Sequence, residues 1–293
     1  MNADAPLFFA TAARTGKKWL ERDRSMVFAA ILLAVIAIPC FLAPITAPYD
    51  PYELHNMVLL SDAPPSLLYP LGTDHYSRDV LSRLLYGGRL SLSIAVFATL
   101  VSVTVGTAYG AITGYAGGMV SAILERILDT LLAIPRLLLL IAIFAAWREL
   151  PIKAFVVILG LTGWYGLARL VRGQVLALKA QDFVASASAL GATRTRILIR
   201  HILPNVVTPV VVAATLGVGH VILLEAGLSW LGVGIPVPEP SWGNMIQDGS
   251  QSPILSHWWI GFFPGLAIVL TVMAFNVLGD GLLRALSPRQ SNK

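Results

Sequence analysis

Charged residues are scarce in this chain of 293 residues: Asp, Glu, Lys and Arg make up 13% of it, whereas hydrophobic residues make up 56%. An ordinary soluble domain carries charged residues at roughly a quarter of its positions. The chain also contains apolar runs that are long enough to cross a bilayer. It is therefore predicted to be an integral membrane protein.

Cysteine is nearly absent as well, since Cys40 is the single one. One cysteine excludes a disulfide framework within the chain and a thiolate metal cluster. The histidines lack the spacing of a zinc motif such as HExxH. No metal site and no cofactor are therefore expected, and the net charge of +5 is attributed to membrane topology rather than to a nucleic-acid partner.

Motifs for catalysis and for nucleotide binding are missing too. The sequence has no GxSxG, no pair of aspartates in matched helix motifs and no GxxxxGK[ST] phosphate loop. No catalytic residue is assigned, and the chain is not expected to be an enzyme. If it moves a solute uphill, the energy must come from an ion gradient or from another subunit.

Six apolar segments predict an all-α polytopic membrane protein with six transmembrane helices. A cytoplasmic segment at 1–25 precedes a transmembrane domain at 26–293, with spans at about 26–46, 90–114, 123–147, 154–175, 205–228 and 259–283. Gly106, Gly110 and Gly114 recur every four residues and predict close packing of the second span. The dipeptide Ile134-Pro135 interrupts the third span.

Basic residues are distributed unequally between the segments that connect the spans. If the amino terminus is cytoplasmic, most of them fall on the cytoplasmic side, and the outer segments hold only Arg78, Arg83, Arg89, Arg148 and Lys153. The positive-inside rule therefore predicts that both termini are cytoplasmic. The segment at 182–204 then faces the cytosol, and the loop that contains Trp242 faces outward.

Charges deep inside the spans would indicate an ion-coupled carrier. The candidates are Asp129, Arg136, Glu225 and Asp280, and all four are expected nearer a membrane face than the midplane. Six spans are also few for a carrier built of two repeats. A subunit of a larger transporter is favoured, and a stand-alone ion-coupled carrier is the alternative.

A polar segment, DFVASASALGATRTRILIRHILP at 182–204, separates the fourth predicted span from the fifth. Asp182 is predicted to cap a short helix, Gly191 to end it in the left-handed conformation, and Thr193 to cap a second helix. Two short helices joined at a glycine predict a docking site for a cytosolic partner. An ordinary charged loop is the alternative interpretation.

The spacing within this segment resembles the cytoplasmic signature of the inner-membrane permease subunits of bacterial ATP-binding-cassette importers. That signature is Glu-Ala-Ala, three residues, Gly, nine residues and Ile-x-Leu-Pro; Ala185-Ser186-Ala187, Gly191 and His201-Ile202-Leu203-Pro204 align with it. Ala185 replaces the glutamate, Ser186 an alanine and His201 the isoleucine. The resemblance implies that ATPase coupling rests on Ala185, Ser186, Ala187, Gly191, Leu203 and Pro204.

Four further segments resemble the C-type subunit of the dipeptide, oligopeptide and nickel importers within this family. They are LGTDHYSRDVLSRLLYGGRLSL at 71–92, EAGLSWLGVG at 225–234, PSWG at 240–243 and GDGLLRALSPR at 279–289. Ser77 stands where the first of these segments usually has a glycine. The segments follow one another in the expected order over most of the chain.

The resemblance implies the permease fold of a type I importer in the bacterial inner membrane, surrounded by membrane lipid. It implies a second, homologous permease subunit, two cytosolic ATPase subunits and an extracytoplasmic solute-binding protein as partners. Di- or oligopeptides are the implied solutes, with nickel or another small solute as the alternative. Candidates for a gate or a binding-protein contact are Asp74, Arg78, Asp79, Glu225, Ser229 and Trp242; capping of helix ends is the alternative role for this outer group.

Overall fold

A computed structural model describes residues 24–147, 150–250 and 257–286. Helices make up most of these residues, as the apolar runs predict. In chain order they are α1 (Arg24–Phe41), α2 (Ala43–Thr46), α3 (Met57–Leu60), α4 (Val80–Ala116), α5 (Gly118–Ala133), α6 (Arg136–Ala146), α7 (Ile152–Leu161), α8 (Trp164–Lys179), α9 (Asp182–Ala189), α10 (Arg194–Ile197), α11 (Leu203–Trp230), α12 (Trp242–Ser250) and α13 (Trp259–Leu286). A π-helical turn, Leu198–Ile202, joins α10 to α11.

Five helical stretches are long and apolar enough to span a membrane, and the pair α5–α6 is a sixth candidate. The five are α1, α4, α7 with α8, α10 with α11, and α13. The all-α fold with six candidate spans is therefore confirmed. The predicted cytoplasmic segment at 1–25 lies almost wholly outside the described residues.

Two of the predicted spans are broken rather than continuous. The third bends by 75° between α5 and α6, because proline restricts Ile134 to an extended conformation and removes a backbone donor at Pro135. The fourth, predicted as one helix at 154–175, is interrupted at Thr162 and Gly163 between α7 and α8.

The second span begins ten residues before its predicted start at 90, because Asp79 caps α4. The Asp79 carboxylate accepts a hydrogen bond of 2.7 Å from the Ser82 N–H group, which satisfies one of the donors left over in a first helical turn. The first turns of α4 are polar but buried, and Ser82 and Arg83 are almost fully covered. Hydropathy alone does not reveal these turns.

The glycines of α4 lie against α8. A Cβ atom on Gly106 would come within 2.9 Å of the Trp164 carbonyl oxygen, and one on Gly114 within 2.9 Å of the Val175 Cβ atom. Gly110 lies closer still to the Ala168 carbonyl oxygen. The predicted close packing of the second span is therefore confirmed, and α8 is its partner.

The buried apolar core follows this helix pair. One cluster joins α4 to α6, α7 and α11 and includes Leu92, Leu140, Leu159 and Ile222. A second cluster joins α8 to the short helices that follow it and to the start of α11. The second cluster connects the polar segment at 182–204 to the spanning helices.

We predict that Gly110→Ala lowers the melting temperature of the detergent-solubilised protein. Alanine adds about 1 kcal/mol of helix propensity, but its methyl group forces α4 away from the α8 backbone, which costs about 1–3 kcal/mol. The matched control is Gly173→Ala in α8, since a Cβ atom there meets no atom within 4 Å. Thermal unfolding followed by tryptophan fluorescence compares them, and equal melting temperatures for the two variants contradict the prediction.

Candidate functional site

The polar segment at 182–204 folds into two short helices that meet at Gly191. Gly191 has φ +81°, and its N–H group donates to the Ser188 carbonyl oxygen at 3.0 Å. The Ala192 N–H group donates to the Ala187 carbonyl oxygen at 3.1 Å. These bonds form the Schellman end of a helix, which requires a left-handed residue. The predicted turn at Gly191 is confirmed.

The caps of these helices differ from one another. Thr193 caps α10 as predicted, because its hydroxyl accepts a hydrogen bond of 3.4 Å from the Arg196 N–H group. The prediction for Asp182 is wrong. Gln181, in an extended conformation, is the residue that precedes α9. Asp182 is the first residue of the helix, where its negative charge interacts favourably with the positive end of the helix dipole.

Buried aliphatic side chains fix the segment to the spanning helices. Val184, Ile197 and Ile202 pack in one cluster with Val171 and Val175 of α8. The segment then continues through the π-helical turn into α11 without a flexible break. A force on the short helices is therefore transmitted directly to α8 and α11.

The opposite face of the segment is open. Of the six predicted coupling residues, Ala187 and Leu203 are half-buried and the others are exposed. Leu190, at the tip of the turn, is 89% exposed. A Cβ atom on Gly191 would meet no atom within 4 Å. Small residues and one protruding leucine are thus presented to whatever covers this face.

At the start of α4, four charged side chains form a cluster that is almost wholly buried. Arg78 donates to the Asp74 carboxylate at 2.7 Å, and Arg83 lies 3.4 Å from the same carboxylate. Both arginines lie 3.5 Å from the Asp248 carboxylate, which α12 contributes. The charges balance within the cluster, which removes most of the penalty for burying each of them alone.

Burial raises the pKa of the Asp248 carboxyl, and the Arg83 and Arg78 guanidinium groups partly offset this shift. The sequence did not predict that Asp248 and Arg83 would join this cluster. Only the fold, which brings α12 onto the start of α4, reveals their contact with Asp74 and Arg78.

A second polar cluster lies farther along α4. The Glu225 carboxylate accepts hydrogen bonds from the Ser91 hydroxyl at 3.1 Å and the Ser229 hydroxyl at 2.9 Å. The fully buried Trp242 donates its backbone N–H to Ser91 at 3.3 Å and its indole N–H to the Leu84 carbonyl oxygen at 3.0 Å.

The predicted outer group is therefore divided between two clusters and a helix cap. Asp74 with Arg78 belongs to the charged cluster, Glu225 with Ser229 and Trp242 to the second polar cluster, and Asp79 to the cap of α4. All six residues are buried. Both clusters join α4 to α12, so together they hold the end of the helix bundle at which α4 begins.

The expectation that Arg136 lies near a membrane face is wrong. Arg136 lines a cavity together with Thr99 and Ser102 of α4 and Gly217 and His220 of α11, and these residues lie near the middles of two spanning helices. The bend between α5 and α6 places the first residue of α6 at this depth. Among the described residues, no group of three His, Cys, Asp or Glu side chains is arranged to hold a metal ion.

Comparison with known proteins assigns the chain to a transport family. Residues 106–292 match the binding-protein-dependent transport system inner membrane component family. The chain is 41% identical over 262 residues to the oligopeptide transport system permease protein OppC of Bacillus subtilis, a match that covers 88% of this chain and 84% of the relative.

Two further relatives give the same result. The dipeptide transport system permease protein DppC of Bacillus subtilis is 37% identical over 270 residues, which cover 92% of this chain and 83% of the relative. OppC of Haemophilus influenzae is 39% identical over 274 residues, which cover 93% and 87%. These matches confirm the resemblance to importer permeases and a transport role without catalysis. The chain belongs to the family of inner-membrane components of binding-protein-dependent transport systems.

Proposed function

We propose that the chain is one of two permease subunits of an ATP-binding-cassette importer for di- or oligopeptides. The observation that carries the solute class is its 37–41% identity, over most of its length, to permeases of dipeptide and oligopeptide transport systems. The proposed partners are a second, homologous permease, two cytosolic ATPases and an extracytoplasmic binding protein.

Uptake of a labelled tripeptide into proteoliposomes that contain the complete importer tests this function. We expect uptake that requires internal ATP, both ATPases and the binding protein. Uptake by the purified chain alone, driven by a proton or sodium gradient, would support a carrier instead. Uptake of nickel but of no peptide would contradict the proposed solute class.

For the orientation, we propose that both termini and the segment at 182–204 are cytoplasmic. The excess of basic residues on that side supports this topology, and so does the exposed face of α9 and α10. In a Cys40→Ser background, a membrane-impermeant maleimide should label Glu53→Cys in intact spheroplasts and Ser188→Cys only after permeabilisation. The reverse labelling pattern would contradict the proposed topology and support the opposite orientation.

The segment at 182–204 is proposed to seat in a groove of an ATPase subunit. Its exposed small residues allow close approach of another backbone, and its buried residues connect it to α8 and α11. Closure of the two ATPases around ATP would move the segment, and the rigid helices would carry this movement to the solute pathway. Such a two-state arrangement requires that each state be stabilised by different contacts.

The substitution Gly191→Asp is predicted to abolish coupling while leaving the permease folded. A Cβ atom at this position meets no described atom within 4 Å, and aspartate tolerates a positive φ better than most residues. The new carboxylate would, however, be buried without a partner under the ATPase, which costs several kcal/mol. We expect peptide uptake and transport-linked ATP hydrolysis to fall at least about tenfold, since about 1.4 kcal/mol corresponds to that factor.

The matched control is Gly191→Asn, which has the same shape and a similar tolerance of positive φ but carries no charge. We expect it to retain much more uptake than Gly191→Asp, with the same membrane abundance and melting temperature. Normal uptake by Gly191→Asp at normal abundance would refute the docking role of this turn.

The buried charged cluster is proposed to hold the outer gate of the pathway in shape. Direct contact with the binding protein is less favoured for Asp74, Arg78 and Asp79 because their side chains are covered. The cluster joins α12 to the start of α4, so it can fix the position of the outer loops that receive the binding protein.

Replacing one carboxylate of this cluster should disturb both stability and gating. Asp74→Asn leaves Arg78 and Arg83 with a single carboxylate, and breaking a buried pair costs about 3–5 kcal/mol. The control Asp50→Asn changes an exposed carboxylate that accepts a hydrogen bond from Tyr52 and should change stability by no more than about 0.5 kcal/mol. Both variants are assayed well below their melting temperatures. We expect stimulation of ATP hydrolysis by the binding protein to fall in Asp74→Asn and to stay unchanged in Asp50→Asn. Full stimulation in Asp74→Asn would contradict the gate proposal.

A further inference from the structure

A cavity of about 190 Å³ lies among the spanning helices, and residues near the middles of α4 and α11 line it. Thr99 and Ser102 of α4 form one wall, and Gly217 and His220 of α11 form another. Arg136, the first residue of α6, brings the guanidinium group of its long side chain to the cavity. The lining also includes Leu167 and Leu170 of α8. A mostly apolar wall with two hydroxyl groups therefore surrounds this cation near the middles of the spanning helices.

The guanidinium group of Arg136 is held in place without being neutralised. Its Nη2 atom donates to the Leu159 carbonyl oxygen at 2.8 Å, and its Nε atom lies 3.5 Å from the Thr162 hydroxyl oxygen. Both acceptors belong to the break between α7 and α8. The Nη1 group donates to no atom of the described residues.

Four other arginines of the spanning region and its borders pair with carboxylates. Arg78 and Arg83 share two carboxylates at the outer end, Arg169 pairs with Asp129, and Arg172 lies 2.7 Å from Glu125. Within 24–147, 150–250 and 257–286, no carboxylate lies within ion-pair distance of Arg136. A cation held at this depth is costly unless it faces water or a counter-ion.

An anion that neutralises Arg136 has to reach the depth at which its guanidinium group lies. Lipid phosphates lie at the two faces, about 15 Å from the midplane of a hydrocarbon core roughly 30 Å thick. The solute of an importer, in contrast, passes this depth on every cycle. Every peptide with an unmodified carboxyl terminus carries at least one carboxylate, and an arginine fork binds a carboxylate with two parallel hydrogen bonds.

We propose that this cavity is a subsite of the solute pathway, in which Arg136 binds a carboxylate of the passing peptide while His220 lines the opposite wall. The inference rests on the proposed peptide import. The cavity is smaller than the roughly 300–1,000 Å³ of a complete small-molecule site. It therefore takes the carboxylate and part of one residue, and the remainder of the peptide lies in the pathway beyond it.

The first experiment measures the electrostatic preference of the cavity without any peptide. In a Cys40→Ser background, Ala214→Cys places a thiol on the cavity wall. The rates of its modification by an anionic and by a cationic methanethiosulfonate reagent are compared in the complete importer. We expect Arg136→Gln to lower the anionic-to-cationic rate ratio about tenfold, because one nearby charge is removed in a region of low dielectric constant.

Two variants provide the controls for this measurement. Arg136→Lys keeps the positive charge and should retain most of the ratio. Arg169→Gln removes an exposed arginine that already pairs with Asp129, so the ratio should not change. An equal ratio in Arg136→Gln and the parent protein would overturn the proposal.

The second experiment compares uptake of trialanine and trialanine amide, each presented by binding protein that is saturated with it. We expect Arg136→Gln to lower the acid-to-amide uptake ratio about tenfold, since a bidentate charge-assisted pair is lost, and Arg136→Lys to restore part of it. An equal loss for both peptides would overturn the proposal and would indicate that Arg136 pairs with the second permease.

The two proposals fail in different ways. If the unmodified importer transports no peptide but the thiol rate ratio still depends on Arg136, the peptide function is wrong and the anion-binding cavity stands. If it transports trialanine and both ratios are insensitive to Arg136→Gln, the peptide function stands and the subsite is wrong.

Discussion

The close contact between α4 and α8 is the constraint on which the other features of the molecule depend. Gly106, Gly110 and Gly114 have no side chains, so the two helix backbones approach to a distance that no larger residue allows. The start of α4 carries the buried charged cluster. The end of α8 carries the buried valines that pack against the segment at 182–204. The segment at 182–204 and the buried charged cluster are thus connected through one closely packed helix pair.

The length of the apolar runs, the glycine spacing and the capping residues predicted the parts of the fold that local chemistry determines. The six candidate spans, the turn at Gly191, the cap at Thr193 and the packing of the α4 glycines all follow from short stretches of sequence. The broken fourth span could not be predicted in this way. Its break at Thr162 and Gly163 faces Arg136 and Ser102, since a Cβ atom on Gly163 would lie 2.6 Å from the Ser102 hydroxyl and 2.8 Å from the Arg136 Nη2 atom. A long-range contact of this kind leaves no local signal.

For the outer group, the sequence predicted some of the residues but not which side chains they contact. The sequence pointed to Asp74, Arg78 and Trp242 because they lie in recognisable segments, yet Asp248, Arg83 and Ser91 complete their clusters. Because α12 lies more than 150 residues after the start of α4, only the packed structure reveals these pairs. Their burial also changes what they can do: covered and mutually neutralised side chains determine the geometry of the loops above them more readily than they contact a soluble protein.

Arg136 follows a different electrostatic rule from the outer cluster. There, each arginine meets a carboxylate of the same chain, so the cluster is stable whether or not solute is present. At Arg136 the described residues supply a carbonyl and a hydroxyl oxygen but no negative charge, and the free energy of that cation therefore depends on what occupies the cavity. The bend at Ile134-Pro135 carries α6 inward, so that Arg136 lies beside α8 and α11. These two helices also pack against the segment at 182–204. In the proposed mechanism, occupancy of the cavity and movement of the ATPases would act on the same helices, so a solute that neutralises Arg136 would bias the proposed two-state equilibrium.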